Sequence, residues 1–329
     1  MSETYRAILC EQLGPPELLR FSELARQPLA PGQVRVAIRA AGVNFPDLLQ
    51  IAGSYQHKPP LPFTPGFEAA GDIVEVGAAV TRWRIGDAVI LRSRGGAYAE
   101  EVAVEAQALL PKPPDWSYEE AAAFPVAAAT AWVALVPRGR LRAGETLLVL
   151  GAGGGTGLGA VALGARMGAT VLAVASSAGK RAAALAAGAR GALDPADESW
   201  IEQVRSLTQG RGADVVFDPV GGELFAAAWR GVANGGRYLV VGFAAGQHPK
   251  LAVNRLLLRE AELIGVRAGE QGRRDPALGR QLGAALAEQL VSGQGRPFVG
   301  GVYRLPDAAA ALRLLAERRA VGKLVLQAG

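Results

Sequence analysis

The run Gly151-Ala-Gly-Gly-Gly-Thr-Gly-Leu-Gly159 is the part of this chain best suited to chemistry. An apolar run, Thr146–Leu150 (TLLVL), reads as a buried strand leading into it, and a helical stretch over Thr156–Met167 follows. Glycine permits the positive φ of a tight turn and lets backbone N–H groups approach a pyrophosphate. The helix then offers that anion its unpaired N–H groups and the positive end of its dipole. A glycine pattern alone is a weak signal. With a strand before it, a helix after it and a second strand about twenty residues on, it reads as a dinucleotide-binding turn. Gly151, Gly154, Gly155, Thr156 and Gly157 are the expected phosphate contacts.

The end of the next strand selects among dinucleotides. An acidic residue usually sits there to hold the ribose 2′-hydroxyl of NAD. This chain instead reads Ala175-Ser-Ser-Ala-Gly-Lys-Arg181, without a carboxylate. The hydroxyls of Ser176 and Ser177 and the cations of Lys180 and Arg181 suit a 2′-phosphate, so NADPH is expected rather than NADH. The plainer alternative is that Ser177 caps the following helix and the basic residues are solvated.

The elements that must hold this turn are legible around it. Thr170–Ala175, Ala213–Asp218, Gly236–Gly242 and Glu262–Arg267 are further strand-like runs, separated by helical segments such as Lys180–Gly188. Apolar strands alternating with helices predict a parallel sheet covered on both faces, a doubly wound α/β domain of Rossmann type. The first ~120 residues instead carry short β-branched runs (Val34–Ala40, Ala70–Val76, Asp87–Leu91) between Gly, Pro and Asp turns. A change to Ala-rich helix over Tyr118–Trp132 marks the transition, and His57–Pro65 reads as loop. The tail supplies helices near Leu282–Val291 and Ala308–Arg319 and a strand Lys323–Leu326, which suggest a return to the first domain.

Composition removes several classes. Half of the 329 residues are apolar, enough for a sizeable core in two domains. Cys10 is the single cysteine, so neither an internal disulfide nor a multi-cysteine zinc site is possible. The net charge of +5 is dispersed, which argues against nucleic acid as a partner. The N-terminus lacks a signal-peptide pattern and no apolar run approaches the ~18 residues of a membrane span, so a cytoplasmic, non-membrane protein is expected. No GxSxG element points to a serine hydrolase, and no paired carboxylates suggest a glycosidase.

Taken in order, several segments resemble the zinc-independent NADPH:quinone oxidoreductases of the medium-chain dehydrogenase/reductase superfamily, the zeta-crystallin-like branch. They are Gly42-Val-Asn44-Phe-Pro-Asp47, Leu61-Pro-Phe-Thr-Pro-Gly66-Phe-Glu68-Ala-Ala-Gly71, Gly86-Asp87-Ala-Val, the glycine turn, Asp214-Val-Val-Phe-Asp-Pro-Val-Gly-Gly222, Gly242-Phe243 and Gly322-Lys-Leu-Val-Leu. The resemblance implies a GroES-like, β-rich catalytic domain (residues 1–123 and 267–329) with the Rossmann domain (124–266) inserted, and a cleft where nicotinamide meets substrate. It further implies a homodimer joined near Glu262–Arg267. The zinc-binding cysteine of the alcohol dehydrogenases corresponds to Asn44 and their histidine ligand to Phe67, so no catalytic metal is expected.

Site residues follow from the same resemblance. Asn44 would hydrogen-bond the cofactor or the acceptor oxygen, with Asp47 ordering that network or merely capping the helix Leu48–Ile51. Tyr55 would stack near nicotinamide or donate a proton, against a packing role. Thr130 would face the nicotinamide, against a bond to its own helix. Val220, Gly242, Phe243 and Asn254 would complete the cofactor site, whereas His57 reads as exposed loop. Without a metal as Lewis acid, the expected reaction is hydride transfer from NADPH to an electron-poor small molecule, a quinone or an α,β-unsaturated carbonyl. The alternatives are reduction of enoyl-thioesters and, in another class, a non-catalytic NADPH-binding protein.

Overall fold

Apolar runs of two kinds build two units in the computed structural model, which describes residues 3–328. One unit comprises Met1–Val126 and Leu290–Gly329, the other Ala127–Gln289.

The first unit is built on one long strand. Gln33–Val43 pairs antiparallel with Glu68–Val76 along one edge; its other edge is shared by Glu101–Glu105 and Lys323–Gln327. The sheet runs Val299–Arg304, Lys323–Gln327, Gln33–Val43, Glu68–Val76, Ala88–Arg92, Leu109–Pro111, and a separate pair joins Thr4–Leu9 to Arg20–Ala25. Val36, Ile38, Ile73, Val89, Leu91 and Tyr98 share a core with Leu312 and Leu326 from the tail. The C-terminal segment therefore completes this unit, as expected: Leu324 lies opposite Val43 and Gln327 opposite Ala40.

In the second unit six parallel strands stand in the order Gly191–Leu193, Thr170–Val174, Thr146–Leu150, Ala213–Asp218, Val232–Val240, Glu262–Gly265. Numbered along the chain this is 3-2-1-4-5-6, the Rossmann order, whose crevice lies where strands 1 and 4 diverge. Every residue of Thr146–Leu150 is buried, which explains a continuous apolar run in place of alternation. Leu148, Val216, Phe225, Trp229 and Tyr238 fill one face. Among the described residues Glu262–Gly265 pairs only with Val232–Val240 and has no partner on its other edge, and Leu263 is exposed.

The domain boundaries differ from expectation. The chain crosses at 126/127 rather than 123/124, and returns at 289/290 rather than 266/267. The helix Pro276–Val291 explains the late return: it buries Leu282 and Leu286, and Gln289 accepts a 2.9 Å hydrogen bond from Arg166 of the second unit. At the first crossing, the Val126 N–H donates to Glu68 of the first unit at 2.6 Å.

Candidate functional site

The glycine turn has the geometry its sequence calls for. Gly151 has φ +59°, and a Cβ there would lie 2.8 Å from Val220 Cγ2. A Cβ on Gly157 would lie 2.3 Å from the Gly151 carbonyl oxygen and 2.8 Å from Ala152 Cα, so the helix packs against the turn only because side chains are missing. Gly154 is the N-cap of the helix Gly155–Arg166 and supplies no side-chain cap. The first N–H groups, Gly155 and Thr156 among them, are thus left for an anion. Gly153 is closed over by Lys180, whose Cβ occupies the space a Gly153 side chain would take.

The neighbouring loops are held from below by Asp218, at the end of the fourth strand. Its buried carboxylate accepts the N–H groups of Val220 and Gly221 at 2.8 Å each and the Tyr238 hydroxyl at 2.7 Å. Burial raises its pKa against the pull of those donors. Val220 in turn accepts from Ala245 N at 2.8 Å and Pro219 from Ala244 N at 3.1 Å, which laces the Gly242–Phe243 loop beside the turn. Val220, Gly242 and Phe243 therefore gather at the switch point, where Phe243 meets His248 edge-on at 4.6 Å. Asn254 does not join them: it opens the short, exposed helix Asn254–Leu257. Sequence reasoning passed over Asp218, although its motif was in view; three backbone and hydroxyl donors converging on one carboxylate are a tertiary fact.

At the end of the second strand the plainer expectation is met in part. Ser177 caps the helix Ala178–Ala186 by accepting from Lys180 N at 3.3 Å. Arg181 is not a free cation. It donates to Asp194 at 2.7 Å and to the Ala175 carbonyl at 3.0 Å, ordering the loop rather than awaiting a phosphate. Ser176 is exposed and Lys180 half-buried at the same helix start. Thr130 sits half-buried in the helix Pro125–Val133, which the turn's own helix meets closely: a Gly159 Cβ would lie 3.3 Å from Ala127 O.

In the first unit, Asn44 and Asp47 belong to a buried polar network. Asp47 has no exposed surface; its carboxylate accepts Asn44 N at 2.7 Å, Tyr98 Oη at 2.8 Å and Gly66 N at 3.2 Å. Complete burial pushes its pKa up to about 7 despite these donors. Asp47 therefore positions Asn44 and the helix Phe45–Ile51 instead of touching substrate. The Asn44 amide is fully engaged as a donor, to Gly42 O at 3.2 Å and Glu68 Oε1 at 2.9 Å, while its oxygen accepts from Lys323 Nζ at 2.7 Å. No donor remains for an acceptor oxygen, contrary to the role expected for it.

The centre of the network is the pair Glu68 and Lys323, which the sequence offered only as motif letters. Lys323 Nζ donates to Glu68 Oε1 at 2.6 Å and to Val43 O at 2.9 Å, with the two side chains 0% and 5% exposed. Gly42 allows this approach, since a Cβ there would lie 2.4 Å from Glu68 Oε1. A zinc ion does not fit this donor set: Asn44 and Phe67 offer no soft or imidazole ligand, and an ammonium already holds the cation position between Asn44 and Glu68. Among the described residues, no group of three or more His, Cys, Asp or Glu could hold a metal. Tyr55 packs edge-on against Phe67 at 5.7 Å.

Arg92 completes this face. It is the cross-strand partner of Glu68, so both side chains leave the same side of the sheet. Glu68 is buried, but Arg92 is exposed and makes no hydrogen bond or ion pair among the described residues. Surrounding protein nevertheless lowers its pKa, opposed by Glu68.

Comparison with known proteins agrees with this architecture. Residues 30–114 match the alcohol dehydrogenase GroES-like domain, and residues 155–280 the family described as zinc-binding dehydrogenase. A quinone oxidoreductase-like protein 2 homolog of Nematostella vectensis is 34% identical over 98% of this chain and 89% of its own length. The mycobacterial protein Rv1454c, solved in complex with NADPH, is 31% identical with a TM-score of 0.89, covering 98% of this chain and 99% of that one. An NAD-dependent alcohol dehydrogenase structure is 32% identical with a TM-score of 0.87, covering 98% and 100%. The chain belongs to the quinone oxidoreductase family of the medium-chain dehydrogenase/reductase superfamily, oxidoreductases that use a nicotinamide cofactor.

Proposed function

We propose that this protein reduces quinones or α,β-unsaturated carbonyls with NADPH and without a metal. The observation that carries the reading is the pairing of an uncapped glycine turn at the switch point with a strand end, Ala175-Ser176, that has no carboxylate. The turn, with Thr156, binds the pyrophosphate. Ser176, Ser177 and Lys180, at the start of one helix, receive the 2′-phosphate, and Arg181 keeps that loop ordered through Asp194. NADPH, when bound, supplies a hydride at nicotinamide C4. The protein aligns an acceptor with it and excludes water. Lys323 is a fixed ammonium with its donors engaged, so it offers no open coordination position for an alkoxide. This favours acceptors that are already electron-poor.

The test follows NADPH absorbance at neutral pH with a benzoquinone, a naphthoquinone, an enal and an enoyl-CoA, after dialysis against a chelator. Oxidation with the quinones or the enal, undiminished by the chelator, is the expected result. Turnover with the enoyl-CoA alone would move the substrate class to thioesters. Tight NADPH binding with no turnover would place the protein among non-catalytic relatives.

A further inference from the structure

We propose that Gly153 sets the preference for NADPH: lacking a side chain, it lets Lys180 lie across the glycine turn, where the ammonium holds the 2′-phosphate. The inference rests on the NADPH reading above and deepens it, because it names the position in the turn on which the placement of that cation depends.

All the groups involved lie in the second unit. Gly153 is buried, and an ideal Cβ on it would lie 2.3 Å from Lys180 Cβ, 2.5 Å from Cγ and 3.0 Å from Cα. None of these is the far end of a flexible chain. The first carbons of the lysine stem and the backbone that carries them would have to move together. Gly157 differs in kind, since its missing Cβ protects the turn's own backbone. What Gly153 admits is a side chain of the next helix, Ala178–Ala186.

The frame around this contact is fixed. Ala152 N donates to Val174 O at 3.0 Å and Gly154 N to Gly151 O at 3.1 Å, which ties the turn to the end of the second strand. Ser177 and the bonds of Arg181 to Ala175 O and Asp194 hold the helix start. Lys180 is the third residue of its helix, whose first turn holds no acidic residue. A cation there faces the positive end of the helix dipole, an unfavourable placement. A bound phosphate reverses the sign, because dipole and ammonium then both attract it.

In a dinucleotide fold the pyrophosphate lies against the glycine turn and the ribose 2′-position against the end of the second strand. The Gly153 contact places Lys180 between them. An ammonium is a compact charge with three donors on a flexible stem. Anchoring that stem on Gly153 confines the region the charge can reach. NADH brings no phosphate to that region, so the same lysine discriminates between the two cofactors.

Two single variants and their double test this, by equilibrium titration of each protein with NADPH and NADH. Gly153→Ala pushes the lysine stem aside, whereas Lys180→Met keeps a stem and removes the charge. The preference, read as the ratio of the NADH to the NADPH dissociation constant, should fall roughly tenfold in each, the scale of one charge-assisted hydrogen bond. NADH affinity should change little. A merely structural role for Gly153 would instead weaken both cofactors alike and leave the ratio unmoved. The double variant should lose no more preference than either single one, because both act through one ammonium. Wild-type preference in Gly153→Ala or in Lys180→Met, or losses that add in the double, would overturn the proposal. If Gly153→Ala does not fold, it is made in Lys180→Gly, which lacks the two stem carbons that the new methyl would meet. Folding regained there, with the preference lost in Lys180→Met, supports the proposal; continued failure to fold overturns it. A wild type without preference for NADPH ends the NADPH reading itself, whereas a wild-type preference that survives Gly153→Ala ends only the role of Gly153.

Discussion

Lys323→Met will destabilise the first unit by about 3–5 kcal/mol, the cost of leaving one charge of a buried pair without its partner. The Glu68 carboxylate has no exposed surface and would retain only the donors of Asn44 and Val126. The carbonyl oxygens of Val43 and of the Asn44 amide would lose their ammonium donor as well. Adding Glu68→Gln removes the stranded charge, so the double variant should be more stable than Lys323→Met alone, with a coupling of at least about 1 kcal/mol between the sites. Urea unfolding of wild type, both single variants and the double measures this. A loss below about 1 kcal/mol for Lys323→Met, or strict additivity, would show that the pair is not the centre of the network.

The second large effect concerns the cofactor. In Gly157→Ala two consequences oppose each other. Alanine favours helix over glycine by about 1 kcal/mol, so the helix Gly155–Arg166 gains intrinsic stability. Its Cβ, however, would lie 2.3 Å from the Gly151 carbonyl oxygen and 2.8 Å from Ala152 Cα. Both are backbone atoms and cannot rotate away, so the turn must open. The expected result is helical circular dichroism at the wild-type level together with an NADPH dissociation constant raised at least about tenfold, because the N–H groups that face the pyrophosphate lose their alignment. Fluorescence titration with NADPH reads this directly. Wild-type affinity in Gly157→Ala would mean that the turn does not bind the phosphates.

These two sites differ in how far they can be read without a structure. The glycine turn is local: strand, turn and helix are consecutive, and both the φ of Gly151 and the close packing of Gly157 are requirements that only glycine meets. The same locality made Thr146–Leu150 and Ala213–Asp218 plain as buried strands. Gly191–Leu193 was missed because three residues beginning with glycine carry no periodicity. The Glu68–Lys323 pair joins residues far apart in the chain, and a lysine opening the apolar run Leu324–Leu326 reads as a solvated strand end. Arg181 shows the same limit: it was expected to receive a phosphate and is engaged by Asp194. The late return of the chain at residue 290 depends on where Leu282 and Leu286 are buried, which their spacing alone does not specify.

The proposal that the glycine turn and the acid-free strand end together bind NADPH as the hydride donor is tested by parallel equilibrium titrations of the protein with NADPH and NADH. NADPH binding at least about tenfold more tightly, as expected where hydroxyls and a cation replace the ribose-binding carboxylate, is the predicted result. NADH binding equally well or better would contradict it.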